Sequence, residues 1–193
     1  METRTTDTTR RTFKVILFSV CVTVAFGLFL SEVSMAKTAK EIDSEVNEAL
    51  NLFSKQVKGA KEFLNTANGV LVIPNIVKAG LGVGGQYGEG AMRIGGKTVA
   101  YYSLAAGSLG LQIGAQKTNL VLVFRQPEPL RKFRAGSGWK AGVDGSVAFI
   151  DTGSGKTLDT MNVNDPIVAF LFGQQGLMAS ATIEGAKFTK LAR

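Results

Sequence analysis

The chain has 193 residues, 22 Lys and Arg against 15 Asp and Glu for a formal net charge of +7, no histidine, and one cysteine, Cys21. Lacking imidazole, it lacks a usual zinc ligand and the base on which most Ser and Cys nucleophiles depend, so most hydrolase classes fall away. The basic balance favours anionic partners such as membrane headgroups, acidic polymers or nucleic acid.

Residues 1–36 read as a cleavable export signal. Arg4, Arg10, Arg11 and Lys14 form a basic leader, Val15 to Leu30 carries no charge, and Ser34-Met35-Ala36 offers small residues at the positions a signal peptidase reads. The apolar run is shorter than the roughly 20 residues a spanning helix needs, so an uncleaved anchor is the weaker reading. Thr9-Arg10-Arg11-Thr12-Phe13-Lys14 looks like a twin-arginine signal, while an ordinary Sec leader with two arginines stands beside it. Cys21 sits mid-run, not where a lipoprotein cysteine would. The expected location is the periplasm or cell envelope, membrane-associated. Export makes nucleic acid the least favoured partner.

Residues 37–193 form one expected domain, large enough for a substantial core. The leader holds four basic and three acidic residues, leaving 18 against 12 and a net +6. No thiol remains there, and no cofactor or metal is expected.

In chain order, 38–66 reads as one amphipathic helix. Ile42, Val46, Leu50, Phe53, Val57, Ala60 and Leu64 recur at spacings of four and three, Gly59 weakens the helix without stopping it, and Asn68-Gly69 ends it. Lys40, Lys55, Lys58 and Lys61 lie on one side of this stripe and Glu41, Glu45 and Glu48 on the other. The helix either packs on a sheet with a solvated charged back or presents its lysine edge to anionic lipid. Lys55, Lys58 and Lys61 are the candidate lipid-binding residues, and no residue is a catalytic candidate.

Short strands follow. Val70 to Ile73 is ended by Pro74, Gly80 to Gly84 alternates glycine with apolar residues, and Gly84-Gly85 suggests a bulge or bend. Gly95-Gly96 reads as a turn. Residues 107–116 alternate, and the continuously apolar Leu120 to Phe124 predicts a strand buried on both faces. A short helix is expected at Pro129 to Arg134, led by Pro127 and Glu128. Strand alternation resumes with Val143, Val147 and Phe149. Ile167 to Phe172 and Leu177 to Ile183 flank Gly173-Gln174-Gln175-Gly176, which reads as a hairpin. The fold class is therefore α+β, mainly β: an N-terminal amphipathic helix, then a glycine-rich antiparallel sheet of barrel-like form.

Several motifs imitate chemistry. Gly153-Ser154-Gly155-Lys156-Thr157 resembles a phosphate loop, but Ile150 stands where that motif needs glycine and poor helix sequence follows. Gly80 to Gly85 matches the dinucleotide fingerprint in letters only, because glycines continue where a helix must start. Glu89, Asp144, Asp151, Asp159, Asp165 and Glu184 are scattered, and no spacing selects a glycosidase pair. Arg131-Lys132-Phe133-Arg134 with Trp139 and Lys140 is either an anion-facing patch or, more favoured, a solvated turn with Phe133 in the core.

Taken together, Gly69-Val70-Leu71-Val72-Ile73-Pro74-Asn75, Lys78-Ala79-Gly80, Gly84-Gly85-Gln86-Tyr87-Gly88-Glu89-Gly90, Gly110 to Gln116, Gly176-Leu177-Met178-Ala179 and Glu184-Gly185 resemble the SYLF domain family. The match at Tyr101-Tyr102-Ser103 is looser. The resemblance spans nearly all of 40–190. It implies a glycine-rich β domain behind a helix, binding of membrane phospholipid (phosphoinositides in eukaryotic members), and F-actin in some members. No SH3 domain is read in this sequence and an export signal is expected, so lipid or envelope binding transfers while actin binding remains a family name. The leading expectation is a non-enzymatic domain on anionic phospholipid or a membrane surface. The alternative is a structural module of the envelope that packs on a protein partner.

Overall fold

The computed structural model describes residues 37–152, 165–176, 183 and 185–193, with the backbone alone at 81–83 and 108–113. Its elements are α1 (Ala39–Gln56), α2 (Ala60–Thr66), β1 (Gly69–Ile94), β2 (Lys97–Phe124), α3 (Pro127–Ala135), β3 (Gly138–Lys140), β4 (Ala148–Asp151), β5 (Ile167–Gly176) and β6 (Lys187–Leu191). The α+β, mainly-β class expected from the sequence is the one observed, and the sheet curls into a half-barrel.

The sheet is organised by β2. Along its whole length one edge pairs with β1, while the other edge takes β5 at residues 116–124 and β6 at residues 101–105. β3 extends the sheet beyond β6, and β4 beyond β5. Every pairing is antiparallel except β4 with β5, so the sheet is mixed and not wholly antiparallel. The Gly95-Gly96 turn is where the sequence placed it. Both glycines have positive φ, 56° and 78°, which a two-residue hairpin connection of the I′ kind demands.

A straight strand of this length would run about 85 Å at roughly 3.3 Å per residue, far beyond a small domain, so β1 must curl. It folds onto itself. A Cβ at Gly88 would lie 2.8 Å from Ile73 Cγ2, and one at Gly90 would lie 2.8 Å from Ile73 Cα. Two stretches of one strand thus touch with only glycine thickness between them. The register shifts fall at Ile73/Ile76, Leu81/Val83 and Met92/Arg93, so the bulge expected at Gly84-Gly85 sits slightly earlier. Pro74 does not end the strand either. It has no N–H to donate and is absorbed in the first bulge, where Asn75 adopts φ 50° and its N–H donates to Asn119 Oδ1 at 3.0 Å.

The two-sided burial of Leu120 to Phe124 holds. Leu120, Leu122 and Phe124 join one cluster with Leu71, Ile73, Phe133, Trp139 and Phe188, while Val121 and Val123 join a second with Val72, Phe170 and the buried stripe of α1. α1 therefore roofs one face and α3 the other. Phe133 centres the second roof, with ring centroids 5.0 Å from Tyr102, 5.1 Å from Phe124, 5.3 Å from Trp139 and 5.9 Å from Phe188.

Three further expectations fail for physical reasons. The helix over 38–66 is two helices, because Gly59 adopts φ 77°, a left-handed conformation that breaks α-helical geometry. Gly173 to Gly176 is not a hairpin turn: it continues β5, with Gln175 and Gly176 paired to Lys117 and Gln116 of β2. Val143 is not a strand residue facing inward but 72% exposed in the turn between Ala141 and Gly145. The proposed partner strand of that hairpin, 177–182, lies outside the described residues, as does the phosphate-loop imitation at 153–157.

Candidate functional site

The sequence alone nominates Lys55, Lys58 and Lys61, and their setting follows from how α1 begins and ends. Thr38 caps α1 in a reciprocal box: its side chain accepts from Glu41 N–H at 3.3 Å, and its own N–H donates to Glu41 Oε2 at 2.7 Å. These backbone and side-chain hydrogen bonds from Thr38 hold the Glu41 carboxyl below its ordinary range. Ile42, Val46, Ala49 and Phe53 then bury one stripe against the sheet, with Phe53 5.1 Å from Phe170. The helix stops at Gln56, where the Val57 N–H donates to Phe53 O at 2.9 Å.

Lys55 occupies the last turn of α1, Lys58 the break, and Lys61 the first turn of α2, all three exposed. They gather around the break and do not line one continuous helical edge. The acids Glu41, Asp43, Glu45 and Glu48 fall in the first ten residues of α1. Charge is therefore polarised along the helix, negative at its N-terminal part and positive beyond its C-terminus, the sense the helix dipole favours. Lys40 lies at the acidic end, and Glu45 pairs with Lys37 at 2.7 Å.

The sequence missed two polar clusters. Asp43 accepts from Thr98 Oγ1 at 2.7 Å, Tyr101 OH at 2.9 Å and Arg93 Nη2 at 3.3 Å, tying α1 to the end of the β1–β2 hairpin. Desolvation raises the Asp43 pKa, but the bonds from Thr98 and Tyr101 and the charge of Arg93 outweigh it and leave the carboxyl below its usual value. Buried Glu89 accepts from Tyr87 OH at 2.7 Å and Arg193 Nη2 at 3.1 Å. Burial first, then the Glu89 carboxylate, pushes the Tyr87 hydroxyl up to about 12. Apart from the Tyr87–Glu89 pair, these partners are distant in sequence, so no local pattern announces either cluster as a whole.

The other chemical candidates disperse. Phe133 and Trp139 are buried, and Arg131 and Lys132 pair with Glu128 at 2.8 and 3.7 Å, so the stretch is the helix expected at 129–134 and not a turn, with Phe133 in the core as expected. Asp144 accepts from the Lys140 backbone N–H at 2.6 Å, Asp151 from Gln174 at 2.7 Å, and Asp165 from Ser146 at 3.3 Å. Each carboxylate is engaged separately, while Asp159 and Glu184 lie outside the described residues. A cleft of about 400 Å³ is lined by Leu50, Leu64, Val70 and Arg93, among others. A smaller one of about 130 Å³ brings Glu45 and Glu48 near Lys117, with Glu45 already bonded to Lys37. Among the described residues no group of three or more metal-ligating side chains forms a cluster, and no helix is long and apolar enough to cross a membrane.

Residues 105–192 match the family model described as Ysc84, Las17-binding protein actin regulator. The matched segment runs from within the first half of β2 to just past β6, so the lysines of the helix break precede it. No curated protein matches the chain.

Proposed function

We propose, from the match of residues 105–192 to the Ysc84 model and the resemblance to the SYLF family, that this is a non-enzymatic module binding anionic phospholipid at a membrane surface outside the cytoplasm. The family is one of actin- and lipid-binding modules. The observation that carries the lipid reading is the exposure of Lys55, Lys58 and Lys61 around the helix break, on a unit whose net charge is +6. The leader of 1–36 supports the location beyond the cytoplasm, where neither actin nor cytosolic phosphoinositides are met. Basic residues near an anionic leaflet contribute roughly 1 kcal/mol each, screened by salt.

Co-sedimentation with vesicles tests the reading. The purified protein pellets with phosphatidylglycerol-containing vesicles at low salt, much less at high salt, and little with neutral vesicles. Pelleting that ignores both lipid charge and salt would sink it. Charge reversal at Lys55, Lys58 and Lys61 weakens binding without unfolding the domain. Recovery of one stoichiometric protein partner with no vesicle binding at all favours the envelope-interaction alternative.

A further inference from the structure

We propose that the outer face of β3, β6, β2 and the Tyr87 end of β1 is a second membrane-contact surface, lying against an anionic bilayer with Lys140 and Lys187 toward the headgroups. This rests on the lipid-binding reading above and assigns to it a surface outside the helix lysines.

The strand register places the residues. Lys140 stands opposite Lys187, Lys187 opposite Ala105, and Ala105 opposite Tyr87, so the four form one row across four strands. Their strand neighbours Trp139, Phe188 and Leu104 are buried in the core under α3. Side chains alternate along a strand, so the row faces the other way. α1 does not cover it. Helix contact reaches Tyr101, through its bond to Asp43, four residues along β2 from Ala105 and thus about 13 Å away. Lys140, Lys187, Ala105, Gly138 and Tyr87 are exposed, Tyr87 at 49%.

Charge argues for the occupant. Like charges directly opposite on neighbouring strands destabilise a sheet, yet Lys140 and Lys187 face each other with no ion pair among the described residues. Asp144, the described acid closest to them in sequence, spends an oxygen on the Lys140 backbone N–H. The buried Glu89 of the adjoining row is met by Arg193. The stem of Lys187 lies across Gly138, where a Cβ would come within 3.0 Å of Lys187 Cε, and this carries its ammonium toward Lys140's strand. Two cations without an ion pair among the described residues, on an exposed sheet face roughly 15 Å wide at about 4.8 Å per strand, fit a plane of negative headgroups. Tyr87 adds an aromatic of the kind enriched at membrane interfaces.

The test compares the wild-type protein, Lys140→Ala/Lys187→Ala, and Lys55→Ala/Lys58→Ala/Lys61→Ala on vesicles of phosphatidylglycerol and phosphatidylcholine. The double variant is expected to lose about 25-fold in partitioning at low salt, about fivefold per lysine, with a melting temperature no lower than that of the wild type. Energy transfer from Trp139, the chain's one tryptophan, to a dansyl headgroup falls in parallel. Wild-type partitioning in the double variant, with binding lost in the triple variant, overturns this inference and leaves the lipid reading standing. Absence of wild-type binding to anionic vesicles overturns the lipid reading and the inference with it. Double-variant loss on polyglutamate but not on vesicles shows an acidic protein as the occupant and overturns the membrane assignment.

Discussion

Gly90→Ala tests whether the self-contact of β1 is a requirement of the fold. A methyl group there would overlap the carbonyl of Val72, lying 2.7 Å from its carbon and 2.8 Å from Ile73 Cα. Both sides of the contact are backbone, so no rotamer change relieves it and the strand itself must open. Overpacking costs about 1–3 kcal/mol in ordinary cores, and a rigid backbone clash belongs at the upper end. At roughly 2–4 °C per kcal/mol for a domain of this size, melting falls by about 6–12 °C. Gly88→Ala is milder, because its nearest neighbours are Ile73 Cγ2 at 2.8 Å and Ile76 Cγ1 at 2.9 Å, side-chain atoms able to shift. Gly107→Ala is the control: nothing lies within 4 Å of its Cβ position, so its melting stays near wild type. Circular dichroism melts of the three variants decide. Equal melting temperatures for Gly90→Ala and wild type, or equal losses at Gly90 and Gly107, refute the self-contact.

Other outcomes follow from the packing and the charges. Phe133→Ala removes the ring that touches four other aromatics and costs about 3–5 kcal/mol, with Trp139 emission shifted to the red as its neighbour disappears. Gly59→Ala forces a side chain into φ 77° and costs about 1–2 kcal/mol; a stabilised variant would mean that the helix runs through. Lys187→Glu turns a like-charge cross-strand pair into an attractive one, so urea stability rises by about 0.2–1 kcal/mol while vesicle binding falls. Asp43 sets an acid limb. Its folded pKa is depressed below an unfolded value of about 3.9, so its stabilisation is complete above that value and is lost as pH drops through the folded one. Urea midpoints between pH 7 and pH 3 record that decline, and Asp43→Asn shallows it. An unchanged slope in the variant would place the acid sensitivity elsewhere.

What was legible in the sequence is what rests on neighbours. The stripe of α1, the Gly95-Gly96 turn and the double burial of Leu120 to Phe124 each depend on spacing within a few residues, and each is observed. Gly173 to Gly176 has the letters of a turn but continues a strand, because its pairing to β2 outweighs the local preference for a reversal. Pro74 and Gly59 depart from their local signals in opposite directions. The proline reads as a strand end, but the strand accommodates it by a bulge with help from Asn119, a residue 44 positions from Asn75. The glycine reads as a tolerated weak point, but it breaks the helix.

The same distinction separates the two candidate lipid surfaces. Lys55, Lys58 and Lys61 are visible in the sequence because they sit within seven residues, and their cohesion survives even though the helix that motivated them does not. Lys140 and Lys187 are 47 positions apart, and only the β3–β6 register makes them neighbours. Their juxtaposition depends on Trp139 and Phe188 holding those strands down from the opposite face, with ring centroids 5.8 Å apart. The aromatic core under α3 thus fixes the spacing of the cations above it. Phe133→Ala should therefore lower vesicle binding by loosening β3 and β6, whereas Ala49→Gly, which weakens α1 on the other side of the sheet, should affect the helix-break lysines first. Energy transfer from Trp139 to a headgroup dye separates the two. It falls with Phe133→Ala and persists in Ala49→Gly, and a fall in both alike would mean that the two lysine groups act as one surface.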